Sequence, residues 1–204
     1  MTARPLTLDD ISDLRAYERE RDGFRRAVIA EKRARRVTIG PVVTLTFESR
    51  TTVRFQVQEM ARAERLTTDA QVQHELDVYN RLLPAPGELS ATLFLELTTE
   101  EQLRTWLPKL VGIERSVALL VGEGPGAHVV RSVPEDEHQS HLTRPDVTSA
   151  VHYVRFPMTP AEVDAFAVGP VRLVVNHGEY PEGRPGQPLS DATRAALVGD
   201  LTGA

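Results

Sequence analysis

Gln56, Gln58, Glu59, Arg62 and Glu64 bring two amides, two carboxylates and a guanidinium into one short stretch of the chain. If the stretch is helical from about Gln56, one-turn steps place Glu59, Arg62 and Arg65 on one side, while Val57, Met60, Ala61 and Glu64 drift toward another. Ion pairs at three- and four-residue steps would satisfy such a face in solvent. Gln56 and Gln58, however, fall at an expected strand-to-helix junction beside Phe55, Val57 and Met60, where polar side chains must be satisfied or used. His74 and Glu75, followed by Asp77, form a second polar group. They can serve general acid–base work if their helix lines a cleft, or simply make up a charged face. Residues 56 to 80 are therefore the expected binding surface.

A metal site is the second candidate. Alternation along residues 149–156 puts Ala150, His152, Val154 and Phe156 on one face, and along residues 171–177 it puts Val171, Leu173, Val175 and His177 together. Were those strands paired, the two imidazoles and a carboxylate such as Glu59 or Glu64 would make a two-histidine, one-carboxylate site for iron, manganese or zinc. The competing reading is two core or strand-end histidines with ordinary hydrogen bonds. Glu135, His138 and His141 have Glu-x-x-His and His-x-x-His spacing. A di-iron carboxylate centre needs such spacings on two helices plus further glutamates, and this copy lies in a polar stretch bounded by prolines, which reads as an exposed loop. Gly122-Glu123-Gly124-Pro125-Gly126 does not open a helix, so it reads as a turn and not a phosphate loop.

The elements that must carry these groups follow from periodicity. Thr7 with Asp10 marks a helix start, and apolar residues from Ile11 to Val28 recur at helical steps, predicting a long amphipathic helix ending near Arg36. The cations Arg25, Arg26, Lys32, Arg33, Arg35 and Arg36 in its last turns complement the helix dipole better than they suit a nucleic acid, since no aromatic platform accompanies them. Residues 42–47 and a piece from Thr51 predict a hairpin about a polar turn at Glu48-Ser49-Arg50. Helices from about Gln56, from Thr67 or Thr68 and from Thr99, strands at 89–97, 116–121 and 127–133, and a closing strand, helix, strand and helix complete the chain. Without regular βα repetition the expected class is α+β, with a mixed or antiparallel sheet, a long N-terminal helix and several packed helices.

The 204 residues suffice for one domain with a real core, and residues 1–204 are read as a single α+β domain. Zero cysteines exclude disulfides, a thiolate nucleophile and a cysteine-held iron–sulfur cluster in this chain. No apolar run approaches a membrane span and no hydrophobic signal opens the chain, so the expected location is the cytoplasm. Residues 1–36 hold ten basic and seven acidic groups, a net +3, whereas the rest hold 14 and 22, a net −8. The acidic remainder makes nucleic-acid binding the weakest reading.

Arg35-Arg36-Val37 with Gly40-Pro41, Thr52 to Met60 with Arg62 and Glu64, Glu75-Leu76 through Tyr79-Asn80, and Thr148 to Phe156 together resemble the bacterial domain of unknown function 3501 family. Arg155, within the last of these stretches, joins the candidate binding residues. The resemblance implies a redox or oxidative-stress setting, with a rubrerythrin-like protein or an iron–sulfur oxidoreductase as partner. The expected function is an accessory or binding protein of such a system. The alternative is a non-haem iron- or manganese-dependent enzyme that uses His152, His177 and Glu59.

Overall fold

Asp13 stands before the first long helix and accepts a hydrogen bond from the Ala16 amide at 2.8 Å, which satisfies one of the donors a helix start leaves open. The helix α1, Leu14–Arg35, passes directly into strand β1, Arg36–Ile39. The computed structural model describes residues 4–135, 146–183 and 186–202. β1 turns back at once into β2, Val43–Phe47, with Arg36 opposite Thr46 and Ile39 opposite Val43.

The expected second arm of a hairpin from Thr51 is instead helical: α2 spans Arg50–Ala63. Its cap explains the difference. Ser49 Oγ accepts from the Thr52 amide at 3.2 Å while Thr52 Oγ1 accepts from the Ser49 amide at 2.8 Å, a reciprocal start signal that outweighs the β preference of Thr51, Thr52 and Val53. Helix α3, Asp69–Tyr79, follows, capped in the same way by Thr68 and Gln71.

The remaining elements are β3 (Glu88–Leu95), α4 (Glu100–Lys109), β4 (Val117–Val121), β5 (His128–Arg131), β6 (Val133–Pro134), β7 (Val151–Pro157), α5 (Pro160–Val168), β8 (Val171–Val175), β9 (Gln187–Pro188) and α6 (Asp191–Thr202). They form two antiparallel sheets, one in the order β1-β2-β3-β7-β6 and the other β5-β4-β8-β9. This is the expected α+β class, with the long helix at the N-terminus. The β4–β5 turn falls at the glycine-rich segment, where Gly122 and Gly124 take φ of 85° and 70°, a region open to glycine and costly for other residues.

Period two divides the first sheet. Val43, Leu45, Phe47, Leu89, Leu93, Val154 and Phe156 face the second sheet and, with Leu119, Leu173 and Leu197, form the main core. The opposite face carries Thr44, Thr46, Ser90 and Thr92, all buried. A smaller core of Leu6, Val53, Val57, Leu76, Leu82 and Leu83 lies among the N-terminal arm, α2, α3 and the turn after α3.

Two side-chain amides tie that arm down as a β partner would. Asn80 Oδ1 accepts from the Leu6 amide at 2.8 Å and its Nδ2 donates to the Leu6 carbonyl at 2.9 Å. Gln58 repeats the pattern on Ser12, at 3.0 and 2.8 Å. Removing such a clamp strands two backbone groups, so Asn80→Ala should lower unfolding stability by about 1–3 kcal/mol in urea titrations. Gln73→Ala, which loses only an exposed contact to Asp77, should stay within about 0.5 kcal/mol.

Candidate functional site

Glu48, expected in a polar turn, is 3% exposed and continues the face of Thr44 and Thr46. Its Oε1 accepts from Thr92 Oγ1 at 2.5 Å, and its Oε2 accepts from Thr52 Oγ1 at 2.5 Å and Gln56 Nε2 at 3.0 Å. One carboxylate thus joins β2, β3 and the first two turns of α2. Beside it, the buried Arg35 donates to both Asp200 oxygens, at 2.5 and 3.1 Å, and its Nε lies 3.1 Å from Glu31 Oε1 at an angle that gives a charge contact without a hydrogen bond. Glu31 also accepts from Ser49 Oγ at 2.5 Å. Glu48 was expected in a polar turn and Arg35 among the cations of the basic run, while Glu31 and Asp200 carry no local signal in the sequence. The alternation of Thr44, Thr46 and Glu48 was the available signal.

The expected binding residues divide between this layer and the surface. Gln56 holds Glu48, and Gln58 is fully buried on Ser12. Glu59 accepts from Tyr17 Oη at 2.7 Å and from Arg21 Nε and Nη2, each at 2.8 Å; the Arg21 guanidinium, opposed by partial burial, holds its carboxyl below the usual range. Arg62 reaches Glu18 at 2.6 Å. Arg155 pairs with Glu88 and with the Arg81 carbonyl. His74 and Glu64 are exposed. Burial, and then the charge of Glu64, raise the Glu75 carboxyl, and burial pushes the nearby Tyr79 phenol up to about 12. An open hollow of about 320 Å³ lies between the arm and the helices, lined by Ser12, Asp13, Arg15, Leu66, Thr68 and Val72.

The expected metal ligands do not meet. His152 lies on β7 in the first sheet, while His177 sits two residues beyond β8 of the second, and the two strands are unpaired. His177 donates from Nε2 to the Val111 carbonyl at 3.1 Å and accepts on Nδ1 from the Glu179 amide at 3.2 Å, which uses both ring nitrogens. Glu59 belongs to the Arg21 pair on α2. Among the described residues no three His, Asp or Glu side chains are arranged to hold a metal ion. Most of the Glu135–His141 segment lies outside the described residues.

The long helix consumes only part of its charge. Tyr17, Val28 and Arg35 form its buried face. In the basic run, Lys32 lies over the Phe55 ring and Arg36 pairs with Glu96, while Arg25, Arg26 and Arg33 are exposed. Arg15 and Arg19 are exposed as well, and among the described residues none of these five has a carboxylate partner.

Residues 5–201 match the sequence profile described as protein of unknown function (DUF3501). The chain belongs to this family. A crystal structure from Burkholderia pseudomallei, described as a novel protein of unknown function, is similar to the DUF3501 chain at 35% identity and a TM-score of 0.87, covering 97% of this chain and 100% of its own. No curated protein matches the chain.

Two buried polar atoms in this DUF3501 fold, one on His152 and one on Glu114, lack partners among the described residues. His152 is fully buried, with Nε2 3.0 Å from both the Ser149 carbonyl and Thr148 Oγ1. A carbonyl only accepts, so Nε2 carries the proton and Nδ1 is left an acceptor. Among the described residues Nδ1 has no partner, nor does Oε2 of Glu114, itself 3% exposed. Burial lowers the imidazole's proton affinity, against the pull of Glu114. The unfolded chain therefore binds a proton more readily than the fold, and the stability that neutral His152 contributes is present above the unfolded value of about 6.5 and lost as pH falls toward the lower folded value. The thermal midpoint of the wild type should drop between about pH 7.5 and pH 5.5, and His152→Gln should flatten that drop.

Proposed function

We propose that the protein is a cytoplasmic accessory protein that docks on an acidic partner through the exposed face of α1. The observation that carries this reading is the contrast between two polar surfaces. The amides and charges of α2 are engaged inside the molecule, whereas Arg15, Arg19, Arg26 and Arg33 face outward without carboxylate partners among the described residues. Unpaired guanidiniums on a rigid helix speed encounter with an acidic surface and set its orientation. The family resemblance supplies the partner class: a rubrerythrin-like protein or an iron–sulfur oxidoreductase, with the redox chemistry in the partner. No helix of the described residues is long and apolar enough to cross a membrane. The alternative of an iron or manganese enzyme on His152, His177 and Glu59 lacks comparable support, because those side chains lie on separate elements and two of them are engaged.

Titration with a purified rubrerythrin-like or iron–sulfur partner encoded in the same genome tests this. The wild type should bind at low salt and lose affinity as salt rises, and Arg19→Glu with Arg26→Glu should weaken binding by about tenfold or more while leaving the thermal midpoint nearly unchanged. Binding indifferent to both salt and charge reversal would contradict the proposal.

A further inference from the structure

The outer face of α1 carries two ridges. At about 100° per residue, Arg15, Arg19, Arg26 and Arg33 fall within a sector of about 40°, opposite the buried Tyr17, Val28 and Arg35. The ridge runs about 27 Å, with Arg19, Arg26 and Arg33 about 10.5 Å apart. Beside it, within about the next 80°, lie Ala16, Gly23, Ala27, Ala30 and Ala34. From Gly23 onward these small residues step by four, three and four, the spacing of a heptad seam. Gly23, Ala27 and Ala30 are exposed, and a Cβ at Gly23 would meet none of the described residues within 4 Å. A glycine in an exposed helix interior costs about 1 kcal/mol against alanine, so local helix stability does not account for it. A backbone approaching from outside does.

We propose that this face receives an acidic α-helix of the partner protein, packed on the small-residue seam with its carboxylates beside the arginine ridge. This deepens the docking reading above and rests on it. Small side chains let two helix axes come to the short end of the usual separation, about 8 Å. A partner helix with Asp or Glu every seventh residue repeats at the same 10.5 Å or so as Arg19, Arg26 and Arg33, and drifts with them by about 20° per heptad. A second copy would set arginine ridge near arginine ridge.

The test uses the full chain and three fluorescent probes read by anisotropy: a stapled helical peptide with Glu at seven-residue spacing, a peptide of the same composition broken by proline, and duplex DNA. The helical peptide should bind at least about tenfold tighter than the broken one. Arg26→Glu should abolish that preference, and Arg25→Glu, the same charge change about 100° away, should leave most of it. Ala27→Phe should block the helix without changing the protein's thermal midpoint. Equal binding of both peptides, still sensitive to Arg26→Glu, overturns the helical partner and leaves acidic docking standing. Failure of both peptides overturns both. Tighter binding of DNA reassigns the face to nucleic acid, and self-association abolished by Ala27→Phe reassigns it to a second copy.

Discussion

Glu48 is a carboxylate taken out of water, and everything around it is arranged so that its charge never lacks donors. An unpaired carboxylate in such a place would cost several kcal/mol, and its partners must arrive from separate elements at once. Thr92 comes from β3, Thr52 from the first turn of α2 and Gln56 from the next. Satisfying one side chain therefore fixes where α2 lies on the sheet. The same stretch places Ser49 as the α2 cap and, through Glu31, orients the end of α1, where Arg35 binds Asp200 of α6. The polar layer is continuous from the sheet to the C-terminal helix.

That continuity decides which polar residues remain for a partner. Glu59 serves as the anchor for Tyr17 and Arg21, which holds α2 to α1, and Gln58 replaces a backbone pairing for the N-terminal arm. A helix dense in amides and charges can thus be the densest structural joint in a molecule. The corner where burial and the charge of Glu64 raise the Glu75 carboxyl, and burial raises the Tyr79 phenol, is the part of residues 56–80 left with unspent electrostatics. The outward half of α1, by contrast, spends little of its charge on the fold.

The class of fold, the long first helix and the alternation of β7 were legible in the sequence because each rests on a period that burial enforces. The β4–β5 turn was legible from its glycines. The start of α2 was not, since Thr51 to Phe55 favour a strand by composition and only the reciprocal Ser49 and Thr52 cap reverses it. Glu48 looked like turn chemistry because a buried carboxylate depends on donors far along the chain, Thr92 above all, and no local pattern reports them. For the same reason pairing of the His152 and His177 strands could not be judged: period two assigns faces, while sheet order decides neighbours, and these strands went to different sheets.

The Glu48 layer is built for structure, with its donors committed to one buried carboxylate. Equilibrium urea unfolding of Glu48→Leu tests it most directly, since leucine keeps most of the volume and removes both acceptors. Thr92 would be left with a buried donor unmet, and Thr52 and Gln56 would keep only their contacts to the Ser49 and Thr52 carbonyls, so stability should fall by about 1–3 kcal/mol with an unchanged m-value. Unchanged or increased stability in that variant would contradict the account.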